Sequence, residues 1–163
     1  MNLDKYDLDN LLLAAIKSEV ESNTLYLKIA NKIENGLLKD KLKFLAKEEN
    51  NHRLYVEKIY KENFPKNEII LPKETPVPLP EIEINEDMPI SKLLKKAMNA
   101  EKHAHDFYEL LAKRFETGSK IYNTLLYFAD MEIGHYKILE IEMESMERFE
   151  EADEYWHMMH VGP

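Results

Sequence analysis

The sequence predicts an all-α fold: four long helices packed as a bundle, with one long crossover between the second and the third. Three observations carry this. Only 4 of the 163 residues are glycine, while 33% are charged, most of them the helix-formers Glu and Lys. Apolar residues recur at helical spacing through four long windows. Six of the seven prolines are gathered between Pro65 and Pro89, where no helix can run.

Helix 1 is expected from Asp9 to Asn35, with Leu12, Ala15, Tyr26, Ile29, Ala30 and Ile33 on one stripe and Asn35-Gly36 as its stop. Helix 2 follows from about Leu37 to Asn63, lined by Leu38, Leu42, Leu45, Ala46, Val56 and Ile59, and Pro65 ends it. Residues 65–90, beginning PKNEIILPKETPVPLP, read as extended or polyproline-like chain. At about 3 Å per residue such a strap spans a bundle end to end, so it predicts a crossover rather than a tight turn. Ser91 is the expected N-cap of helix 3, whose stripe holds Leu94, Ala97, Tyr108, Leu111, Ala112 and Phe115 before Gly118 stops it. Helix 4 is expected from Ser119 to about Glu150, carrying Leu125, Phe128, Leu139, Met143 and Met146. Residues 1–150 thus form one bundle domain, and 151–163 a short tail. Its aromatic, Met-rich end, EYWHMMHVGP, is expected to dock on the bundle or on a neighbouring subunit.

Charge narrows the function. With 22 basic against 31 acidic residues the net charge is -9, which argues against a nucleic-acid or anionic-membrane surface. The opening MNLDKYDLDN is acidic and polar, and the early apolar run LLLAAI is too short to span a bilayer or serve as a signal core. A cytoplasmic protein is therefore expected. No cysteine is present, which removes disulfides, thiolate nucleophiles and sulfur-ligated zinc or iron. Any metal must be held by carboxylates and imidazoles.

The two halves repeat. A shift of 82 residues lays Ala15, Glu19, Tyr26 and Ala30 on Ala97, Glu101, Tyr108 and Ala112; a shift of 83 lays Ala46, Glu49 and His52 on Ala129, Glu132 and His135. Each half is a helical hairpin with a glutamate on its first helix and Glu-x-x-His on its second. These residues interrupt apolar stripes, so four carboxylates point into one interior with no matching set of buried lysines or arginines. Unpaired, each would be strongly disfavoured there. Two divalent ions balance four carboxylates, and two neutral imidazoles complete the ligation. Positions i and i+3 share a helix face, so one Glu can bridge both ions while its His holds one of them. This is the ligand set of di-iron and di-manganese carboxylate bundles. A third Glu-x-x-His, Glu154 and His157, lies in the polar tail and is read as coincidence.

The segments EVESNTLY, FLAKEENNH, AEKHAHDFYELLA and YFADMEIGH, spread over about residues 9–148, resemble the rubrerythrin-like members of the ferritin-like superfamily. The resemblance implies a ferritin-like four-helix bundle whose non-haem di-iron centre is ligated by Glu19, Glu49, His52, Glu101, Glu132 and His135. Tyr26 and Tyr108, each seven residues after a ligand glutamate, resemble the tyrosines that support catalysis in that family. The activity implied is an oxidoreductase's reduction of hydrogen peroxide with an external electron donor, with dioxygen the other oxidant that could bind. Oxidation and storage of ferrous iron is the alternative, and a di-manganese, catalase-like activity a further one.

Two departures shape the expectation. The cysteine-ligated rubredoxin domain of rubrerythrins proper is missing, so electrons must come from a separate donor such as a rubredoxin. The family's extra carboxylate, three residues beyond the helix 3 ligand, is replaced by Ala104; His105, one turn after Glu101, could stand in but reads first as a surface or supporting histidine, and His103 reads as a helix-face residue. The long strap and the like halves also suggest a homodimer, one that can exchange hairpins between subunits.

Overall fold

The computed structural model describes residues 3–75 and 88–160. It contains four helices, α1 (Leu8–Lys32), α2 (Gly36–Asn63), α3 (Ile90–Ala112) and α4 (Lys120–His160). α1 packs mainly on α2 and α3 mainly on α4, so the molecule is two hairpins laid together. Among the described residues no helix is long and apolar enough to cross a membrane.

Local chemistry sets the ends. α1 stops at Lys32 because Ile33 turns extended, and Asn35 belongs to the next helix: its side chain accepts the backbone N–H groups of Leu37 and Leu38, capping α2. The expected stop at Asn35-Gly36 is thus a start. α3 begins at Ile90 behind Pro89, whose fixed φ suits a helix entry. Ser91 lies inside the first turn and is not the cap; its N–H and hydroxyl both donate to the Glu150 carboxylate, which α4 brings to this end of α3. The α3–α4 turn is closed at Gly118, whose φ of 80° favours glycine, and Ser119 accepts the Tyr122 N–H.

Helix α4 differs most from expectation. It does not end near Glu150 but continues to His160, because EADEYWHMMH contains no glycine or proline to stop it. The stretch expected as a separate tail is therefore, through His160, the last turns of a 41-residue helix about 62 Å long.

The crossover from α2 to α3 includes residues 76–87, which lie outside the described residues. Its two ends are tied to α1. Lys17 donates to the carbonyls of Pro72 and Lys73, and Lys32 to that of Met88. Lys17 and Lys32 are about 22 Å apart along the helix, so the connection enters near one and leaves near the other. This makes α3 antiparallel to α1 and parallel to α2.

The core comes in two blocks. One gathers Leu11, Leu12, Val56, Tyr60, Phe107, Leu111 and Leu125; the other gathers Leu25, Ile29, Leu42, Leu45, Leu93, Leu94 and Leu139. All four helices contribute to each. Between the blocks the interior is polar, and there the six repeated Glu and His residues lie.

Candidate metal centre

Each helix contributes through its own periodicity. Glu19 follows Ala15 by one turn of α1, and Glu101 follows Ala97 in the same way on α3. Glu49 with His52 on α2, and Glu132 with His135 on α4, are spaced three apart and so share the inward face. None of the six is more than 4% exposed.

They form two overlapping sets. Glu19, Glu49, His52 and Glu132 each offer a ligand atom within 4.8 Å of the others, and so do Glu49, Glu101, Glu132 and His135. Glu49 and Glu132 belong to both. Within the cluster His52 Nδ1 is 3.0 Å from Glu132 Oε1, His135 Nδ1 is 3.0 Å from Glu49 Oε1, and the imidazole centroids stand 5.9 Å apart. Close as they are, Glu19 Oε2, Glu49 Oε1, Glu101 Oε2, both Glu132 oxygens, both His52 nitrogens and His135 Nδ1 lack regular hydrogen bonds. They converge on common points instead of aiming at one another. Buried polar atoms left this way cost about 1–3 kcal/mol each, more for charged groups. Two divalent cations would satisfy them all, so the donor set is compatible with a di-metal site.

The tyrosines meet the ligands across the hairpins. Tyr26 on α1 donates to Oε1 of Glu101 on α3, and Tyr108 on α3 donates to Oε1 of Glu19 on α1. The antiparallel register that sets Tyr26 level with Glu101 also sets Tyr108 level with Glu19. Each outer glutamate thus has one oxygen held and the other turned inward. Burial, then the charges of Glu19 and Glu132, push the Tyr108 hydroxyl well above its usual range, so it stays a donor.

Without metal, protons take the place of cations. Burial, then the charges of Glu132 and Glu19, raise Glu49 well above the ordinary carboxylate range; burial, then Glu132, do the same to Glu101. Burial opposes the charged form of His52, but its contacts with Glu132 and Glu19 outweigh this and push it up to about 10. His135 moves up in the same way, burial being outweighed by Glu101, Glu132 and Glu49. Burial disfavours ionised Glu132 as well, yet interactions with Glu101, His135 and His52 hold it well below the usual range. Metal binding must therefore release protons.

Other candidates fall outside. His105 turns its Nδ1 to the Ala129 carbonyl, 3.0 Å away, and does not join the cluster. Ala104 is buried, and the two ligand sets contain no seventh residue among the described residues. One contributor had been read only as core: Phe128 packs on His52 with ring centroids 4.2 Å apart and meets Tyr55 and Tyr108 edge-on. Its sequence signal was its place one turn before Glu132.

A four-helix bundle that buries two glutamates and two Glu-x-x-His pairs in overlapping sets is a ferritin-like carboxylate bundle. The Rubrerythrin family model matches residues 10–91, and the chain belongs to the rubrerythrin family. The structure of a hypothetical protein from Pyrococcus furiosus is similar over 91% of this chain and 95% of its own, at 34% identity and a TM-score of 0.83. No curated protein matches.

Proposed function

We propose that this protein is a non-haem di-iron oxidoreductase that reduces hydrogen peroxide with electrons from a separate donor. The observation that carries the reading is the pair of overlapping ligand sets sharing Glu49 and Glu132, which could hold two ions side by side. Carboxylate and imidazole donors favour iron or manganese over softer metals, and a bound iron pair supplies two electrons at once. Peroxide then takes two electrons and two protons and leaves as two waters.

The chain's own residues set the conditions. Glu19, Glu49, His52 and Glu132 would hold one ion, and Glu49, Glu101, Glu132 and His135 the other. Tyr26 and Tyr108 fix the outer carboxylates by hydrogen bonds, the kind of support that orients ligands and tunes a metal. The apolar blocks on either side keep bulk water out. Because Ala104 supplies no carboxylate, the two ligand sets would offer the ions no further ligand among the described residues. A separate rubredoxin-like carrier is the donor this reading requires, since the chain has no cysteine to hold an electron-transfer iron of its own.

The test is a comparison of oxidants. Reduced, iron-loaded protein is mixed with stoichiometric hydrogen peroxide or with air, and oxidation is followed by absorbance, with and without added rubredoxin and its reductase. Peroxide should react much faster than dioxygen, and the donor should support many turnovers. Equal rates, no turnover and accumulation of ferric product beyond two irons per chain would replace this reading with ferrous-iron oxidation and storage. Manganese in protein purified from its native cells would replace it with catalase-like dismutation.

A further inference from the structure

The two hairpins repeat one another at the ligands but not around them. The shift of 83 residues that lays Glu49 and His52 on Glu132 and His135 also lays Leu45 on Phe128 and Tyr55 on Ile138. His52 therefore ends a chain of rings. Phe128 packs on its imidazole with centroids 4.2 Å apart, and Tyr55 meets Phe128 edge-on at 5.4 Å. At the matching positions of the other half stand the aliphatic Leu45, fully buried, and Ile138, packed against the same core block. Either pair fills space, so packing alone does not account for rings on one side only. The chain of rings leads outward: Tyr55 is only partly buried, its hydroxyl donates to Thr124 Oγ1 at 3.1 Å, and its neighbour in sequence Leu54, like Tyr127 beside Phe128, is exposed. Inward, the His52 imidazole stacks on that of His135, so the line touches both ligand sets.

We infer that Tyr55 and Phe128 are the route by which electrons enter the centre at His52 from a donor docked between α2 and α4. The inference rests on the proposed function, in which a separate donor must serve ligands that it cannot touch. Electron tunnelling weakens steeply with the width of the gap, and delocalised rings in contact couple the two ends better than aliphatic side chains of the same reach. Two reduced carriers each give up one electron and leave oxidised, and two ferric ions become ferrous. No bond or proton changes at Phe128 or Tyr55. Both are positioning residues that act through His52.

Charge names the kind of donor. In a chain of net charge -9, α2 carries seven Lys and Arg residues against four acidic ones outside the centre, the largest basic excess of the four helices. Two lysines flank the outer end of the route. Lys58 lies one turn short of the Glu62 it pairs with and three residues beyond Tyr55, and Lys120 lies one turn before Thr124 on α4; both are exposed. The donor that fits is an acidic one-electron carrier, steered by the lysines, with its redox group brought over Tyr55 and its rim against Leu54 and Tyr127. Redox encounters of this kind bury less than about 1,200 Å² and release quickly, as a carrier that must leave after one electron requires.

The experiment follows the two half-reactions of the full iron-loaded chain separately by stopped flow, with an acidic reduced rubredoxin as donor and hydrogen peroxide as oxidant. Phe128→Leu and Tyr55→Ile each install the residue that the other half carries. Each should slow reduction by about tenfold, while oxidation by peroxide, iron content and the midpoint potential of the iron stay at wild-type values. Phe128→Tyr keeps the ring and should be reduced at the wild-type rate. Docking is read apart from turnover, by calorimetry of oxidised rubredoxin with the ferric protein: Lys58→Glu with Lys120→Glu should weaken binding and its salt dependence, and Phe128→Leu should leave both unchanged. If Phe128→Leu loses iron, Tyr55→Ile, which keeps Phe128 against His52, decides. Reduction at the wild-type rate in the aliphatic variants, a Phe128→Tyr protein as slow as Phe128→Leu, binding indifferent to the two lysines, or a wild-type protein that accepts no electrons from the donor overturns the inference. Slow oxidation of the wild type by peroxide would instead defeat the peroxidase reading, while fast reduction lost in the aliphatic variants would still uphold this route.

Discussion

Removing the metal should leave a protein that grows less stable as the pH rises, the reverse of acid denaturation. Four groups at the centre point the same way. In the metal-free protein Glu49 and Glu101 hold protons above their ordinary range, and so do His52 and His135. The folded state then binds more protons than the unfolded chain, so stability falls with increasing pH. For His52 the contribution is fully present below pH 6.5 and is lost as the pH climbs through about 10. At about 1.4 kcal/mol per pH unit this one residue ties on the order of 5 kcal/mol to its proton. In a chain of this size 1 kcal/mol moves the melting temperature by roughly 2–4 °C. Chelated, dialysed protein should therefore melt on the order of 10 °C lower at pH 9.5 than at pH 6.5, by circular dichroism. Metal-loaded protein holds its ligands without protons and should show little change over the same interval. A metal-free transition that is flat or rises with pH would refute the argument that protons stand in for cations at this centre.

Three further outcomes follow from the same geometry. Glu49→Ala with Glu132→Ala removes both shared carboxylates and should take bound metal from about two per chain towards none, as measured by emission spectroscopy; full retention would mean the site is misplaced. Tyr108→Phe leaves the Glu19 Oε1 atom without its donor, a loss of about 1.5–3 kcal/mol for a hydrogen bond to a charged group; it should lower the melting temperature by several degrees and slow turnover while two metals remain bound, and an unchanged rate would reduce this tyrosine to packing. Ala104→Glu restores the missing carboxylate and should leave turnover unchanged or faster, whereas a fall in metal content would show that position 104 does not serve the centre.

Most of the centre was legible because its residues break a pattern. Glu49, His52, Glu132 and His135 stand where an apolar stripe demands leucine, and the repeat showed that the interruption was no accident. Partnership across helices was not legible. Nothing in local spacing says that Tyr26 serves Glu101 and not Glu19 on its own helix, since that depends on α1 and α3 running antiparallel. The ends of helices misled where capping came from afar: Ser91 looked like its own cap, but the acceptor is Glu150, 59 residues away. Helix α4 was read too short for a related reason. Its two apolar faces blur the periodicity that marks a helix, and its last turns carry aromatic residues that sequence reading assigns to a tail.

The way the ligands are shared among helices also bears on how the chain assembles. One candidate ligand set draws on α1, α2 and α4, the other on α2, α3 and α4. The first hairpin alone offers Glu19, Glu49 and His52; the second offers Glu101, Glu132 and His135. Neither alone offers all four residues of a set, so a half-made protein would give a metal ion no complete position. The two apolar blocks, each built from all four helices, and the tyrosines that reach across tie the hairpins together without any metal. A bound metal would then act as a latch on a finished molecule, and a newly made chain whose hairpins stay apart would be left unlatched and open to proteolysis.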